Sequence, residues 1–180
     1  IDNFIVAGSI DKPYANYGES QKNIHLVIGL IKGKRMDMAI EKSVEFGVKS
    51  IHPVLFERSI KKTLNPERLT KVIVSSAKQT GRSIFPEFKK PVKFLEWIEA
   101  YQDRNCFACH FEAKSKIENV VSSQTDDIMI IVGPEGDFSA NEIALLKKYE
   151  TPLVNLGPRR LRSESACISA IITASNIIEG

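Results

Sequence analysis

The stretch that most constrains this chain is Ile128-Met-Ile-Ile-Val132, followed at once by Gly133-Pro-Glu-Gly-Asp-Phe-Ser139. Five apolar residues without polar alternation read as a strand covered on both faces, and the Gly/Pro-dense loop after it turns the backbone into a helix start. The arrangement is then repeated. Pro152-Leu-Val-Asn-Leu156 is a short apolar strand, Gly157-Pro158 breaks it, and Arg159-Arg-Leu-Arg162 leads into a long apolar helix. Two such loops, leaving successive strands, would flank one crevice, and in open sheets of this kind ligands bind outside the carboxyl ends of the strands.

The rest of the chain supplies a setting for these loops. With 180 residues, 43% of them hydrophobic, it can bury one good core, and one compact domain is expected. Residues 1–23 hold scattered Gly, Pro and Asn around two apolar patches, Phe4-Ile-Val6 and Tyr14 to Tyr17, and read as an incoming linker with at most one short strand. Ile24 to Ile31 is a strand apolar on both faces; residues 36–46 place Met36, Ile40 and Val44 at helical spacing, and Gly47 closes that helix. Lys49 to Phe56 is the next strand. Asn65-Pro66-Glu67 combines a capping side chain, a first-turn proline and an acid at the positive end of the dipole, and opens a helix that runs to about Thr80 and ends at Gly81. Residues 92–102 form a helix with Phe94, Leu95, Trp97 and Ile98 inward, Asn105 to Phe111 a strand, and Ser115 to Val121 a short helix. Ser139-Ala-Asn-Glu142 is a capping box ahead of Ile143, Leu145 and Leu146. Strand and helix alternate five times, which predicts an α/β fold: a mostly parallel sheet with helices on both faces.

Charge points in the same direction. The net charge is only +3, but Lys32 to Arg35, Glu57 to Lys62 and Gly157 to Ser163 are basic loops that leave the carboxyl ends of strands. Solvation explains any one of them; their coincidence on one rim favours an anionic partner. No stretch is long enough to cross a bilayer and no secretory signal opens the chain, so a soluble cytoplasmic protein with no membrane partner is expected. The start at Ile1 rather than Met points to a fragment of a longer protein.

Three features must be weighed against more familiar sites. Cys106-Phe-Ala-Cys109-His110 matches the haem-attachment pattern literally, but it lies in a strand with apolar neighbours, and Cys167, His25 and His52 sit elsewhere. Reduced structural cysteines are the reading, with no metal site. Gly133-Pro-Glu-Gly136 lacks a following Gly-Lys-Ser/Thr, and no G-x-G-x-x-G follows any strand, so neither an NTPase phosphate loop nor a dinucleotide site is predicted. Finally, no charged side chain lies between Ser165 and Ile178. A helix apolar all round is buried on more than one side, by its own sheet and by a second subunit.

At this point the residues resemble a known family. The run Ile131-Val-Gly-Pro-Glu-Gly-Asp-Phe-Ser139 with Glu142-Ile143, and Leu156-Gly-Pro-Arg-Arg-Leu-Arg-Ser-Glu-Ser-Ala166, is similar to the two signature loops of the RsmE family. These are SPOUT-superfamily methyltransferases that modify N3 of a uridine in small-subunit (16S) ribosomal RNA. Further matches are Lys32-Gly33 with Met36, Glu45-Phe-Gly-Val48, Pro53 with Glu57-Arg-Ser59, Gln79-Thr-Gly-Arg-Ser83 with Pro86, and His110 with Glu112-Ala113, so the resemblance runs from about residue 24 to the end. Asp137 stands where a third glycine is usual, Arg160 where an apolar residue is usual, and Ser163 and Ser165 replace threonines.

The resemblance implies a C-terminal trefoil knot, a homodimer, and S-adenosylmethionine held between the two loops. Cofactor-binding residues would be Val132, Gly133, Pro134, Glu135, Gly136, Leu156, Gly157, Leu161, Arg162, Ser165 and Ala166. Catalytic roles would fall to Arg162, Arg82 and Glu164, with Glu164 or Glu135 accepting the uracil proton or favouring the sulfonium. Arg58, Lys61, Lys62, Arg82 and Arg159 would contact RNA. Ribosomal RNA or the ribosomal subunit would be the partner, with no DNA, and residues 1–23 would be a linker or the end of a PUA-like RNA-binding domain. Two other functions stay open: a SPOUT enzyme acting on a ribose 2′-hydroxyl, and a non-catalytic RNA-binding module.

Overall fold

The computed structural model describes residues 8–180, and the apolar patch Phe4-Ile-Val6 lies outside the described residues. Strands that are apolar at every position must be covered on both sides, and the chain achieves this with a sheet between two helical layers. In chain order the elements are β1 (Asn23–Gly29), α1 (Gly33–Glu45), β2 (Ser50–Leu55), α2 (Pro66–Gln79), β3 (Glu87–Phe88), β4 (Val92–Lys93), α3 (Phe94–Ala100), β5 (Cys106–Cys109), β6 (Asp127–Val132), α4 (Ala140–Lys148), β7 (Leu153–Val154) and α5 (Ser163–Glu179). Among the described residues the seven strands are ordered β3-β2-β1-β6-β5-β7, with β4 also pairing β2, and every pairing is parallel.

The pleat divides the apolar residues into two cores. Leu26 and Ile28 of β1, with Ile51, Phe107 and Ile130, face Met36 and Ile40 of α1, Leu69 and Ile73 of α2, and Cys167, Ala170 and Ile171 of α5. Val27, Val54, Met129 and Ile131 face the other way, onto Phe94, Trp97 and Ile98 of α3 and Leu146 of α4. Each such side chain taken fully out of water contributes about 1.5–3 kcal/mol, so the strand alternation alone fixes which layer lies on which face.

Local signals set most helix ends. The Asn65 side chain accepts from the Arg68 N–H at 3.0 Å, with Pro66 as the first helical residue. Ser139 and Glu142 form the expected capping box. Gly47 and Gly81 follow α1 and α2 with φ of +82° and +68°, the left-handed conformation that glycine adopts without strain.

Elsewhere the structure departs from the expectations. Leu95 is 48% exposed, because α3 has only seven residues and its inward stripe is Phe94, Trp97 and Ile98. Ser115 to Val121 shrinks to one 3₁₀ turn at Ile117–Asn119. The strand expected over Asn105 to Phe111 is confined to Cys106–Cys109, and β3 and β4, two residues each, carry no apolar run that would have announced them.

Arg82 is the largest correction. Expected at the site, it is instead buried beside α1, where Nη1 donates to the carbonyl oxygens of Val44 at 3.1 Å and Val48 at 2.8 Å. Its Nε and Nη2 hold Glu19 at 3.2 and 2.7 Å. Burial would raise the Glu19 carboxyl, but Arg82, the Ile84 N–H and Lys49 outweigh it and hold the group down at about 2. The guanidinium therefore neutralises a buried acid and answers buried carbonyls at and just past the end of α1, which is a structural task.

Candidate active site

A crevice of about 300 Å³ opens at the carboxyl ends of β5, β6 and β7. Its floor comes from Val132, Cys109 and Leu156, and its two sides are the loops after β6 and β7. The sheet places it there because β6 lies between β1 and β5, while the chain returns past β5 to form β7.

The loop after β6 is tied down along its length. Phe138 is 3% exposed and packs edge-on against Phe56, their ring centroids 5.4 Å apart. Arg58 Nη1 donates to the Phe138 carbonyl at 3.1 Å. Buried Glu142 accepts from the Ser139 N–H and from the Glu57 N–H, each at 2.7 Å, so one carboxylate caps α4 and pins the segment after β2 to this loop. Glu135 accepts from the Lys32 N–H at 3.2 Å, and so serves the start of α1, which has no side-chain cap of its own.

Close packing sets where glycine is needed. A Cβ on Gly29 would fall 2.5 Å from the Pro134 backbone nitrogen, and one on Gly136 would fall 2.8 Å from the Arg58 Cβ. Gly136 is thus required by the packing of the loop against Arg58. Gly157 has φ +129° with open space around it, so its requirement is conformational.

The second side is different in kind. Arg159, Arg160, Leu161 and Arg162 are all exposed. Two of the departures from the family pattern are partners, since Arg160 Nη2 lies 3.2 Å from Asp137 Oδ2 across the mouth. Asp137 adopts φ +61°, a left-handed conformation that Asp tolerates better than most residues, and its Oδ1 accepts from the Phe138 N–H at 2.9 Å.

Beneath this mouth two carboxylates converge on one arginine. Arg35 Nη1 is 3.7 Å from Glu135 Oε1, and Arg35 Nε is 3.9 Å from Glu164 Oε1, distances for charge attraction and too long for hydrogen bonds. Glu135 Oε2 and Glu164 Oε2 are buried with no hydrogen-bond partner among the described residues. Two acids thus share one half-exposed cation, which leaves two unanswered acceptors, one on Glu135 in the wall of the crevice and one on Glu164 behind it, below a mouth that carries Arg159, Arg160 and Arg162. A ligand with an apolar body and a cationic, hydrogen-donating part suits such a site.

Of the expected cofactor residues, the crevice brings together Val132, Gly133, Pro134, Glu135, Leu156, Leu161, Arg162 and Ala166, along with Arg159. Gly136, Gly157 and Ser165 do not line it; Ser165 points to solvent at the start of α5. Glu164 is buried behind Arg35. Arg58 faces the outer side of the first loop, and Lys61 and Lys62 are exposed beyond it. Arg35, His110 and Asp137 were not expected as site residues, yet they line the crevice. His110 follows β5 directly, so its place at a carboxyl strand end was available from the sequence. Cys106 and Cys109 belong to opposite cores, which prevents them from holding one haem between them, and burial pushes the Cys109 thiol far up. No group of three or more His, Cys, Asp or Glu among the described residues could hold a metal ion, and no described helix is long and apolar enough to cross a membrane.

An all-parallel sheet with a two-loop crevice at its carboxyl edge is the setting in which the comparisons with known proteins fall. Residues 18–175 match the RNA methyltransferase domain, and the chain belongs to that family. Within it, the chain is 36% identical over 160 residues to ribosomal RNA small subunit methyltransferase E of Buchnera aphidicola subsp. Acyrthosiphon pisum, an alignment that covers 85% of this chain and 63% of that protein. The chain therefore spans less than two thirds of that relative's length. Among solved structures, a putative methyltransferase from Legionella pneumophila in complex with S-adenosylmethionine is 33% identical with a TM-score of 0.81, over 88% of this chain and 68% of that one. Ribosomal RNA small subunit methyltransferase E from Neisseria gonorrhoeae, bound to S-adenosylmethionine, is 29% identical with a TM-score of 0.79, over the same shares. The resemblance drawn from the two loops is borne out at the level of the family.

Proposed function

We propose that the chain transfers a methyl group from S-adenosylmethionine to N3 of a uridine in small-subunit (16S) ribosomal RNA. The observation that carries this reading is the unanswered buried acceptor Glu135 Oε2, which lies in an apolar-floored crevice below an exposed basic loop, with a second, Glu164 Oε2, behind Arg35. Val132, Leu156 and Ala166 would receive the adenine ring, and the two carboxylates would favour the cationic parts of the cofactor. When bound, that cofactor supplies an electrophilic methyl on its sulfonium. The chain's own residues do the rest. The tied loop fixes the donor's position, which matters because displacement needs both reactants held in line. Arg162 would stabilise the uracil anion as its N3 proton leaves, and Glu164 or Glu135 would accept that proton. Arg159, Arg58, Lys61 and Lys62 would meet RNA phosphates. The partner is small-subunit ribosomal RNA or the ribosomal subunit, in the cytoplasm, with residues 24–180 as the methyltransferase domain and residues 1–23 as a linker or the end of a PUA-like domain.

Two features of the family reading belong to the same proposal. The trefoil knot is supported by the insertion of β6 between β1 and β5 before the return to β7. A homodimer is supported by α5, whose Ile168, Ile172 and Ile177 are only half-buried on a helix free of charge between Ser165 and Ile178. Sedimentation should then report about twice the 20.1 kDa chain mass.

One experiment tests the function. Calorimetric titration with S-adenosylmethionine should show binding, and incubation of the protein and cofactor with small ribosomal subunits should place a methyl on uridine N3, located by mass spectrometry. Absence of cofactor binding would leave an RNA-binding module, and a methyl on a ribose 2′-oxygen would reassign the target atom.

A further inference from the structure

At the opposite end of the sheet, where β1, β2 and β6 begin, lies a second cavity of about 320 Å³. Four hydrogen bonds run through it in series. Trp97 Nε1 donates to His52 Nδ1 at 3.3 Å; His52 Nε2 lies 2.7 Å from Ser50 Oγ; Ser50 Oγ lies 2.6 Å from His25 Nδ1; and His25 Nε2 lies 3.4 Å from Asp127 Oδ2. The indole N–H can only donate, and this fixes the direction of the whole chain. It makes His52 Nδ1 the acceptor, so the proton of neutral His52 sits on Nε2 and points at Ser50 Oγ. Ser50 must then give its own proton to His25 Nδ1, and the remaining His25 N–H faces Asp127. Burial, with His25 and Lys89 nearby, holds His52 down at about 4, in keeping with the neutral form.

The register explains the gathering. His25 pairs with Ser50 and Asn23 with Asp127, so residues 25, 50 and 127 lie on one face of three adjacent strands. A hydroxyl that donates to a base at hydrogen-bond distance, with an acid orienting that base, has the constellation of an activated nucleophile, and the His52 N–H takes one lone pair of Oγ and leaves the other for attack. Ser50 is only 5% exposed, yet it lines the cavity.

We propose that Ser50 is a nucleophile and that this cavity is a second site, taking small carboxylic esters. Ser50 Oγ bonds to the carbonyl carbon as the ester C–O bond breaks, and the serine proton passes to His25 Nδ1 and on to the departing alkoxide. Water then adds to the acyl-serine, His25 takes its proton and returns it to Ser50 Oγ, and the carboxylate leaves. Lys49, Lys89 and Arg104 line the cavity, each within 4.0 Å of a carboxylate (Glu19, Glu87 and Asp127), so the charges around it balance and neutral esters suit it.

A fluorophosphonate probe tests this directly, since Ser50 Oγ displaces fluoride at phosphorus and its proton leaves through His25. Peptide mass spectrometry should find one adduct, on Ser50, in the unmodified chain. Labelling should vanish in Ser50→Ala, fall by at least about a hundredfold in His25→Gln, and fall less in Asp127→Asn, where the orienting group at the rim is changed without touching the buried bonds. Hydrolysis of p-nitrophenyl acetate should follow the same order. Thermal melts of the same preparations separate loss of fold from loss of the nucleophile. No adduct on Ser50 in the unmodified chain, or unchanged labelling in variants that melt like it, overturns the proposal.

Discussion

The loop after β6 is tied back to the protein at several points, whereas residues 159–162 after β7 lie open to solvent with one cross-loop contact, Arg160 to Asp137. The first loop is anchored by buried Phe138, by Glu142 bonding two backbone N–H groups, and by glycines packed against Pro134 and Arg58. The second carries three exposed arginines within four residues. The contrast separates two demands on one crevice. A small ligand bound in one pose is served by a surface that does not move, and a large flexible polyanion is met by long side chains free to adjust.

The largest effect should come from breaking the tied side. Gly29 ends β1, and a side chain there meets the Pro134 backbone at 2.5 Å, an obstacle that no rotamer change removes. Overpacking of this kind costs about 1–3 kcal/mol of stability, and a loop that relieves it by moving off the position the cofactor needs forfeits that energy again on binding, up to roughly a hundredfold in affinity. Gly29→Val should therefore lower S-adenosylmethionine affinity by up to that factor, read by calorimetry on protein whose circular dichroism is unchanged. Gly136→Val should act in the same direction through Arg58. Affinity within twofold of the unmodified chain would show that the tied loop does not set the cofactor's place.

The open side should respond in a different observable. Arg162 is exposed and lines the crevice, and its removal leaves no buried partner behind. A hydrogen bond to a charged group is worth about 1.5–3 kcal/mol, so Arg162→Ala should lower kcat roughly tenfold to a hundredfold while cofactor affinity changes little. Equal losses in both would move Arg162 from the target side to cofactor recognition.

What could be read from the sequence follows the range of the interaction that causes it. The capping box at Ser139, the Asn65 cap and the closing glycines depend on neighbours three or four positions away, and they appear where the sequence places them. The apolar strands and the two loops were equally legible, because burial on both faces leaves no alternation. Arg82 misled, since what buries it is Glu19, far back in the chain, and no local pattern announces that pair. Arg35 was passed over for the same reason: its carboxylate partners, Glu135 and Glu164, come from a loop and a helix on the far side of the sequence. Gly29 is the position where an added Cβ would run closest into the first loop, yet in sequence it is only the end of an apolar strand.

The smallest expected effect sharpens the comparison at its outer edge, where neither loop reaches. Lys61 and Lys62 follow β2 beyond Arg58, are exposed, and do not line the crevice. If they meet only phosphate, each contributes through the counterions that binding releases, and not through any contact with the reacting base. Lys61→Ala and Lys62→Ala should each weaken binding to small ribosomal subunits modestly and reduce the slope of log affinity against log salt by about 0.7–0.9. Cofactor affinity should stay unchanged, and so should kcat at saturating RNA, because neither the tied loop nor the arginines of the second side are disturbed. Filter binding at a series of salt concentrations measures the slope. An unchanged slope in both variants would confine RNA contact to the open side of the crevice, and a fall in kcat at saturation would extend the catalytic surface past Arg58.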